Sequence, residues 1–417
     1  MSPSIKRAVV GAVAVMFVAS ACGSSDDDSS APSTTAPTDR QPAYAATLEP
    51  EINQLMKDNA IPGAVVLVRS RDQGDWSATF GTSTLAEATP PSLDDHLRVG
   101  SNTKTMTVTV ILQLVQEGKL ALDDPSSKYR PEVPNGANIT IAQLAEMRSG
   151  LYSYTFDLGF NETLDREPQK AWTPEELLSI AFSRPPNAPP GGEFEYSNTN
   201  TVLLGLVVEQ LTGMPLEETF QKRIFEPLGL TNTLFPTRTD SSIPDPHPQG
   251  YMFGTNVSTI DSSALPEPEQ AAAVVGTLKP GDHTDDNPSW AWAAGGAIST
   301  AGDLATYVKA LVSGGLLDEA TQKIRFDSIR PTDPSSPQAA GYGLGIAQFG
   351  PYMAGHDGQL PGFMSFMGYD PKEENTLIVL TNLSAVPSGE GAALVLAKEI
   401  ISTLYPAAPE PEGADPG

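Results

Sequence analysis

Ser101-Asn102-Thr103-Lys104 sets a hydroxyl and an amine three residues apart, where a short β-branched run gives way to helical spacing. Side chains three apart on a helix share a face, with β-carbons about 5–6 Å from each other, so the lysine can reach the serine. A desolvated ammonium loses its proton readily, and such a lysine serves as a base near neutral pH. A serine opening a helix also sits among free backbone N–H groups that favour developing negative charge. No other lysine in the chain has a serine three residues before it. The plainer alternative is a surface pair on an amphipathic helix. Against it, the flanks are apolar or Thr-rich, and positions i+3 and i+4 from Lys104 are Thr107 and Val108, not acids.

Two further motifs carry donors and acceptors of the same kind. Tyr196-Ser197-Asn198 follows the turn Pro189-Pro190-Gly191-Gly192 and precedes an apolar run. A tyrosine hydroxyl beside a buried lysine can move a proton between nucleophile and leaving group, and an asparagine amide can hold the lysine and bind a carbonyl. The plainer reading is a packed turn tyrosine, with Asn198 capping the next helix. His356-Asp357-Gly358, within Gly355 to Gly362, reads as a glycine-rich bend before a strand. Such a bend lets a substrate backbone approach and offers an outward N–H. That N–H and the one on the nucleophile would make an oxyanion hole.

The elements that must position these groups follow from periodicity. Leu48, Ile52, Leu55 and Met56 predict a first helix. Residues 63–68 and 76–80 predict strands, and residues 96–99 a brief strand running into Gly100-Ser101. The helix from Ser101 to Glu117 is rich in Thr, which weakens its intrinsic preference, so tertiary burial must hold it. Residues 139–147, 174–182, 199–211 and 303–311 predict further helices, the third strongly apolar. Residues 240–290 are rich in Pro, Asp and Gly and read as long loops. Strands return at 342–347, 363–369 and 376–381, with a last helix over 389–402. The fold class is therefore α+β: one antiparallel sheet built from both chain ends (46–100 and 341–405) with flanking helices, and a mainly helical insertion over 101–340.

Composition narrows the chemistry. The chain has 417 residues and a formal net charge of −26, with 51 acidic and 25 basic side chains. That excludes nucleic acid and an anionic membrane surface as partners of the folded body. One cysteine excludes an internal disulfide framework and a CxxC pair. Four scattered histidines without HExxH argue against a metal site, and no cofactor is expected. Lys6 and Arg7 precede a short apolar run to Ala21, too short for a stable membrane span and suited to a signal peptide over 1–21. Ala19-Ser20-Ala21-Cys22 resembles a bacterial lipobox, with Ala19 where Leu is preferred. Cys22 would then be lipidated and the protein held as a lipoprotein on the outer face of the cell membrane, or otherwise secreted. Residues 22–45 and 406–417 carry little to bury and read as a disordered tether and tail.

The three motifs, in this order, resemble the serine β-lactamase and penicillin-binding protein superfamily. The likeness is greatest to class C β-lactamases, D-alanyl-D-alanine carboxypeptidases and related esterases and D-aminopeptidases. It runs from about Leu48 to Leu404 and includes GKLALDDP at 118–125, ITIAQLAEMRSGL at 139–151, EPLGLT at 226–231, AAGGAISTAGDL at 293–304 and YGLG at 342–345. The resemblance implies a β-lactamase/transpeptidase-like fold and roles for matching residues. Ser101 would be the acylated nucleophile, Lys104 its proton partner, and Tyr196 the proton-transfer group. Asn198 would hold Lys104 and substrate, and His356 would stand where many members have lysine. Gly358 would belong to the same substrate-facing motif, and the N–H groups of Ser101 and Gln359 would form the oxyanion hole.

Two departures bear on substrate. Carboxypeptidases place an arginine before the third motif to grip a carboxylate, whereas no Arg or Lys occurs between Arg330 and Lys372. Asp357 would repel an anionic substrate if it faced the cleft. The expectation is an extracytoplasmic serine hydrolase, carboxypeptidase-like or esterase-like, acting on a small molecule or short peptide, cell-wall peptide included. The alternatives are a β-lactamase and an inactive cell-wall peptide binder.

Overall fold

The computed structural model describes residues 41–336, 338 and 340–406. The signal peptide, Cys22, most of the tether and residues 407–417 of the tail lie outside the described residues. Eight strands form one antiparallel sheet in the order Trp76–Gly81, Gly63–Arg69, Asn375–Thr381, Phe363–Asp370, Met353–Leu360, Ala347–Phe349, Ala340–Tyr342, Arg330–Pro331. Both chain ends supply its centre, as expected from the two clusters of strand patterns.

Alternation along the central strand shows how the layers assemble. Leu377 and Val379 point to one face, where the helices Ala43–Asp58 and Ala392–Leu404 bring Leu48, Ile52, Leu396 and Ile400. Ile378 and Leu380 point to the other, into a core with Val110, Leu204, Leu304 and Val308. That second core runs without a break from the sheet into the helices of the middle of the chain, so the helical stretch shares its interior with the sheet. The sheet also draws the strand Arg330–Pro331, and the first residue of the strand Ala340–Tyr342, from the stretch assigned to the helical insertion. The first helix starts at Ala43, so the last residues of the expected tether belong to it; Tyr44 and Ala45 are buried against the sheet.

Three local differences matter for the site. The apparent bend at 355–358 lies inside the eight-residue strand Met353–Leu360. Its glycines serve close backbone approach rather than a turn: a Cβ on Gly355 would lie 2.1 Å from Met367 O. The expected strand at 342–347 is two short strands joined by a turn through Gly345 at φ +61°. Residues 240–290 are not only loops. Tyr251–Met252 pairs with Gly281–Asp282, the helix Glu267–Val274 packs between them in sequence, and Pro288–Trp290 is a 3₁₀ turn.

The strand Met353–Leu360 bonds along its whole length to Phe363–Asp370, but on its other side Ala347–Phe349 reaches only Met353 to Gly355. From His356 onward that edge is open, and the turn carrying Ser101 lies against it.

Candidate active site

Ser101 opens the helix Asn102–Gln116 directly after the short strand Leu97–Arg98, which pairs with Ile298–Ser299. The helix is buried nearly throughout despite its threonines, because their hydroxyls are satisfied inside the fold. Thr103 donates to Gly100 O at 2.8 Å and accepts from Ala297 N–H, and Thr107 donates to Ala293 O at 2.7 Å. Tertiary burial does hold this helix. Ser101 itself remains partly accessible, and its hydroxyl makes no cap bond to the helix.

Lys104 is fully buried, and its Nζ meets three oxygens: Ser101 Oγ at 2.9 Å, Asn198 Oδ1 at 2.7 Å and Ala294 O at 2.8 Å. An ammonium can donate to all three. A neutral amine can keep the bonds to Asn198 and Ala294 and turn its lone pair to the Ser101 hydroxyl, the arrangement a base needs. Burial drives its pKa down from 10.5 to about 7, with the Asp357 carboxylate pulling the other way.

Asn198 is the first residue of the helix Asn198–Thr212, so its side chain does not cap that helix. Its N–H donates to Ser153 Oγ at 3.1 Å and its Nδ2 to Thr155 Oγ1 at 3.2 Å, which leaves Oδ1 turned to Lys104. Tyr196 lies with its ring 4.8 Å from Lys104 Nζ and its hydroxyl beside Ser101. Burial, reinforced by Tyr342, pushes the Tyr196 pKa well above 10, so the phenol holds its proton. The turn before Tyr196 is anchored by Arg148, which donates to Gly192 O at 3.0 Å and Pro331 O at 3.3 Å.

The open strand edge completes the site. A Cβ on Gly358 would sit 2.0 Å from Val99 O and 2.7 Å from Ser101 N, and a Cβ on Gly100 2.7 Å from Gln359 N. Only glycine at both positions allows the N–H groups of Ser101 and Gln359 to come together on one seam. Ser365, on the next strand, fixes that seam by donating to Val99 O at 2.8 Å while accepting from Asn102 Nδ2 at 2.7 Å. Ser365 carries no motif of its own, and Asn102, although inside the Ser101–Lys104 motif, has no role that spacing reveals.

His356 is buried within an aromatic group of Tyr342 and Tyr196, with ring centroids 5.6 and 6.4 Å away. Its Nδ1 lies 2.6 Å from Asp357 O, a carbonyl that can only accept, so Nδ1 carries the proton. Nε2 then accepts from the Tyr342 hydroxyl at 3.1 Å. Burial lowers the His356 pKa and keeps the ring neutral.

Ser101, Tyr196, Asn198, His356, Asp357 and Gln359 all line one cleft of about 490 Å³. The rest of the cleft's lining mixes apolar side chains, Phe156, Phe160 and Leu164 with Met252, Ile260 and Trp290 from the 240–290 segment, with polar ones such as Asn161 and Asn256. Among the described residues that line it, none is Arg or Lys. Sequence-predicted residues 101, 104, 196, 198 and 356–359 are thus brought together, while Cys22 lies outside the described residues.

A family model described as Beta-lactamase matches residues 48–399. The chain belongs to the beta-lactamase family. The fold of this family member superposes on a D-stereospecific amidohydrolase from Streptomyces sp. with a TM-score of 0.72 and 30% identity, covering 88% of this chain and 100% of that one. It also superposes on the D-amino acid amidase from Ochrobactrum anthropi complexed with L-phenylalanine amide, with a TM-score of 0.70 and 25% identity over 86% of this chain and 98% of that one. Protein flp from Staphylococcus aureus is 25% identical over 331 residues, 78% of this chain. The chain spans about three fifths of the length of the curated relatives it matches, 61% and 60% for two of them. These likenesses give this beta-lactamase family member the β-lactamase fold.

Proposed function

We propose that the chain is an amidohydrolase that cleaves the amide or ester bond of a small amino-acid derivative or short peptide through an acyl-enzyme on Ser101. The observation that carries this is Lys104, buried and 2.9 Å from Ser101 Oγ. Neutral Lys104 takes the Ser101 proton as the oxygen attacks the carbonyl carbon. The carbonyl oxygen, now negative, lies between the N–H groups of Ser101 and Gln359. Tyr196, protonated, gives its hydrogen to the leaving nitrogen and is refilled from the Lys104 ammonium. Water then attacks the acyl-serine and gives its proton to Lys104, which passes it to Ser101 Oγ as the acyl–oxygen bond breaks and the acid departs.

The cleft favours a substrate with an apolar or aromatic side chain. Phe156, Phe160, Leu164 and Trp290 line the wall, and the amidase neighbour was complexed with L-phenylalanine amide and with D-phenylalanine. Neighbours named for D-configured substrates support D-amino-acid amides as the first class. A D-alanyl-D-alanine carboxypeptidase has less support, because no arginine or lysine among the described lining residues offers the bidentate grip a terminal carboxylate takes. The signal-like start and Cys22 support a lipid-anchored position outside the cytoplasm.

Hydrolysis of D-phenylalanine amide, its methyl ester, D-alanyl-D-alanine and a chromogenic cephalosporin by the purified chain tests this reading. Turnover of the first two above the others supports it; preference for the dipeptide or the cephalosporin would replace it, and turnover of none would favour an inactive binder.

A further inference from the structure

The catalytic cleft contains one carboxylate that the chemistry above does not use. Asp357 sits on the strand Met353–Leu360 two residues before Gln359, so both side chains leave the same face, about 7 Å apart along the strand. Both line the cleft. Among the described residues, no donor lies within hydrogen-bonding distance of the Asp357 carboxylate. Its nearest ionisable neighbour is His356, with Nδ1 3.8 Å away, but that nitrogen spends its proton on Asp357 O and the ring is neutral, so no ion pair forms. Asp357 keeps about a third of its side chain open. It is a carboxylate facing the substrate that Lys104 feels only through space, with no protein cation in contact with it.

Position along the strand decides which part of the substrate meets it. Gln359 N–H marks where the carbonyl oxygen lies. Moving back along the strand from Gln359 to His356 leads toward Tyr196, whose ring is 6.4 Å from that of His356. Tyr196 delivers the proton to the leaving nitrogen, so Asp357 lies on the leaving-group side of the scissile bond. From this placement we infer that Asp357 is a specificity-determining residue: it selects leaving groups that carry a positive charge and rejects those that end in a carboxylate. The favoured substrate is an amide whose amine portion bears a second, protonated amino group, as in a residue with a basic side chain or a diamine. The inference rests on the acyl-transfer reading of the site and adds to it the chemistry of the departing half.

Three amides of one acyl group, D-phenylalanyl, test it at pH 8: with 2-aminoethylamine (cationic), ethylamine (neutral) and glycine (anionic) as leaving groups. A charge at about 5 Å in a wet cleft changes affinity by about tenfold, so the wild type should prefer cationic over anionic by about a hundredfold in kcat/KM, mostly through KM. Asp357→Asn, similar in shape and uncharged, should bring the three rates to within about threefold of one another. Asp357→Glu should retain the order. A wild type indifferent to the leaving-group charge, or an Asp357→Asn variant that keeps the wild-type order, would overturn the inference while leaving the acyl-transfer reading intact. Absence of turnover even for the neutral ethylamide would instead sink the acyl-transfer reading.

Discussion

Lys104 makes the sharpest demand on the account, because the same burial that places it beside Ser101 also sets the pH at which it works. Its side chain has no exposed surface, and burial lowers its pKa from 10.5 to about 7. The neutral form is the base. About half the lysine is therefore neutral at pH 7, about a tenth at pH 6 and about a hundredth at pH 5. For an uncharged ester such as N-acetyl-D-phenylalanine methyl ester, kcat/KM should climb about tenfold per pH unit up to 7 and then level off. Asp357 holds the Lys104 pKa up, so Asp357→Asn should move the rising limb to lower pH. The buried neutral His356 titrates below its ordinary value, and His356→Asn should leave a limb near pH 7 in place. A steady rate profile from pH 5 to 9 with stopped-flow acylation decides the matter. A limb still climbing at pH 9 would mean a lysine with its ordinary pKa, and a flat profile would mean that Lys104 is not the base. Either result refutes the reasoning.

Other consequences are quicker to check. Ser101→Ala should abolish turnover yet leave the melting temperature within a few degrees, since the hydroxyl caps nothing and its loss removes less than the typical 1 kcal/mol of a cap. Ser365→Ala removes the bonds to Val99 O and Asn102 Nδ2. A stability loss of about 1–3 kcal/mol should appear in urea unfolding, with a kcat at least tenfold lower, because the oxyanion seam loosens. Gly358→Ala forces a Cβ to 2.0 Å from Val99 O, so circular dichroism melts should show a strongly destabilised chain. Incorporation of radiolabelled palmitate in cells should vanish in Cys22→Ala if the anchor is as read.

Much of this was legible in the sequence because catalytic residue types are few and their spacing is local. Ser101 and Lys104 lie one helical turn apart, and Tyr196 and Asn198 flank one turn-to-helix junction. Periodicity also recovered the helix Pro174–Phe182 and the central strands, where two-sided burial leaves a continuous apolar run such as 376–381. The strand Met353–Leu360 was misread because its glycines imitate a bend. They are there for backbone contact with Val99 and Met367, a requirement set by chain segments far away in sequence. Ser365 and Ala294 O could not be foreseen at all, since a serine inside a strand and a backbone carbonyl carry no local sign of their partners. The role of 240–290 in the cleft wall likewise depends on tertiary placement of Met252 and Ile260.

The central claim is that Ser101 is the residue acylated, with Lys104 as its activator. Treatment of the purified protein with a fluorophosphonate at pH 7.5, followed by intact mass and peptide mapping, measures it directly. One adduct per chain on Ser101, slowed at least a hundredfold in Lys104→Ala and absent in Ser101→Ala, is the expected result. A folded wild-type chain that takes no label, or takes it on another serine, would contradict it.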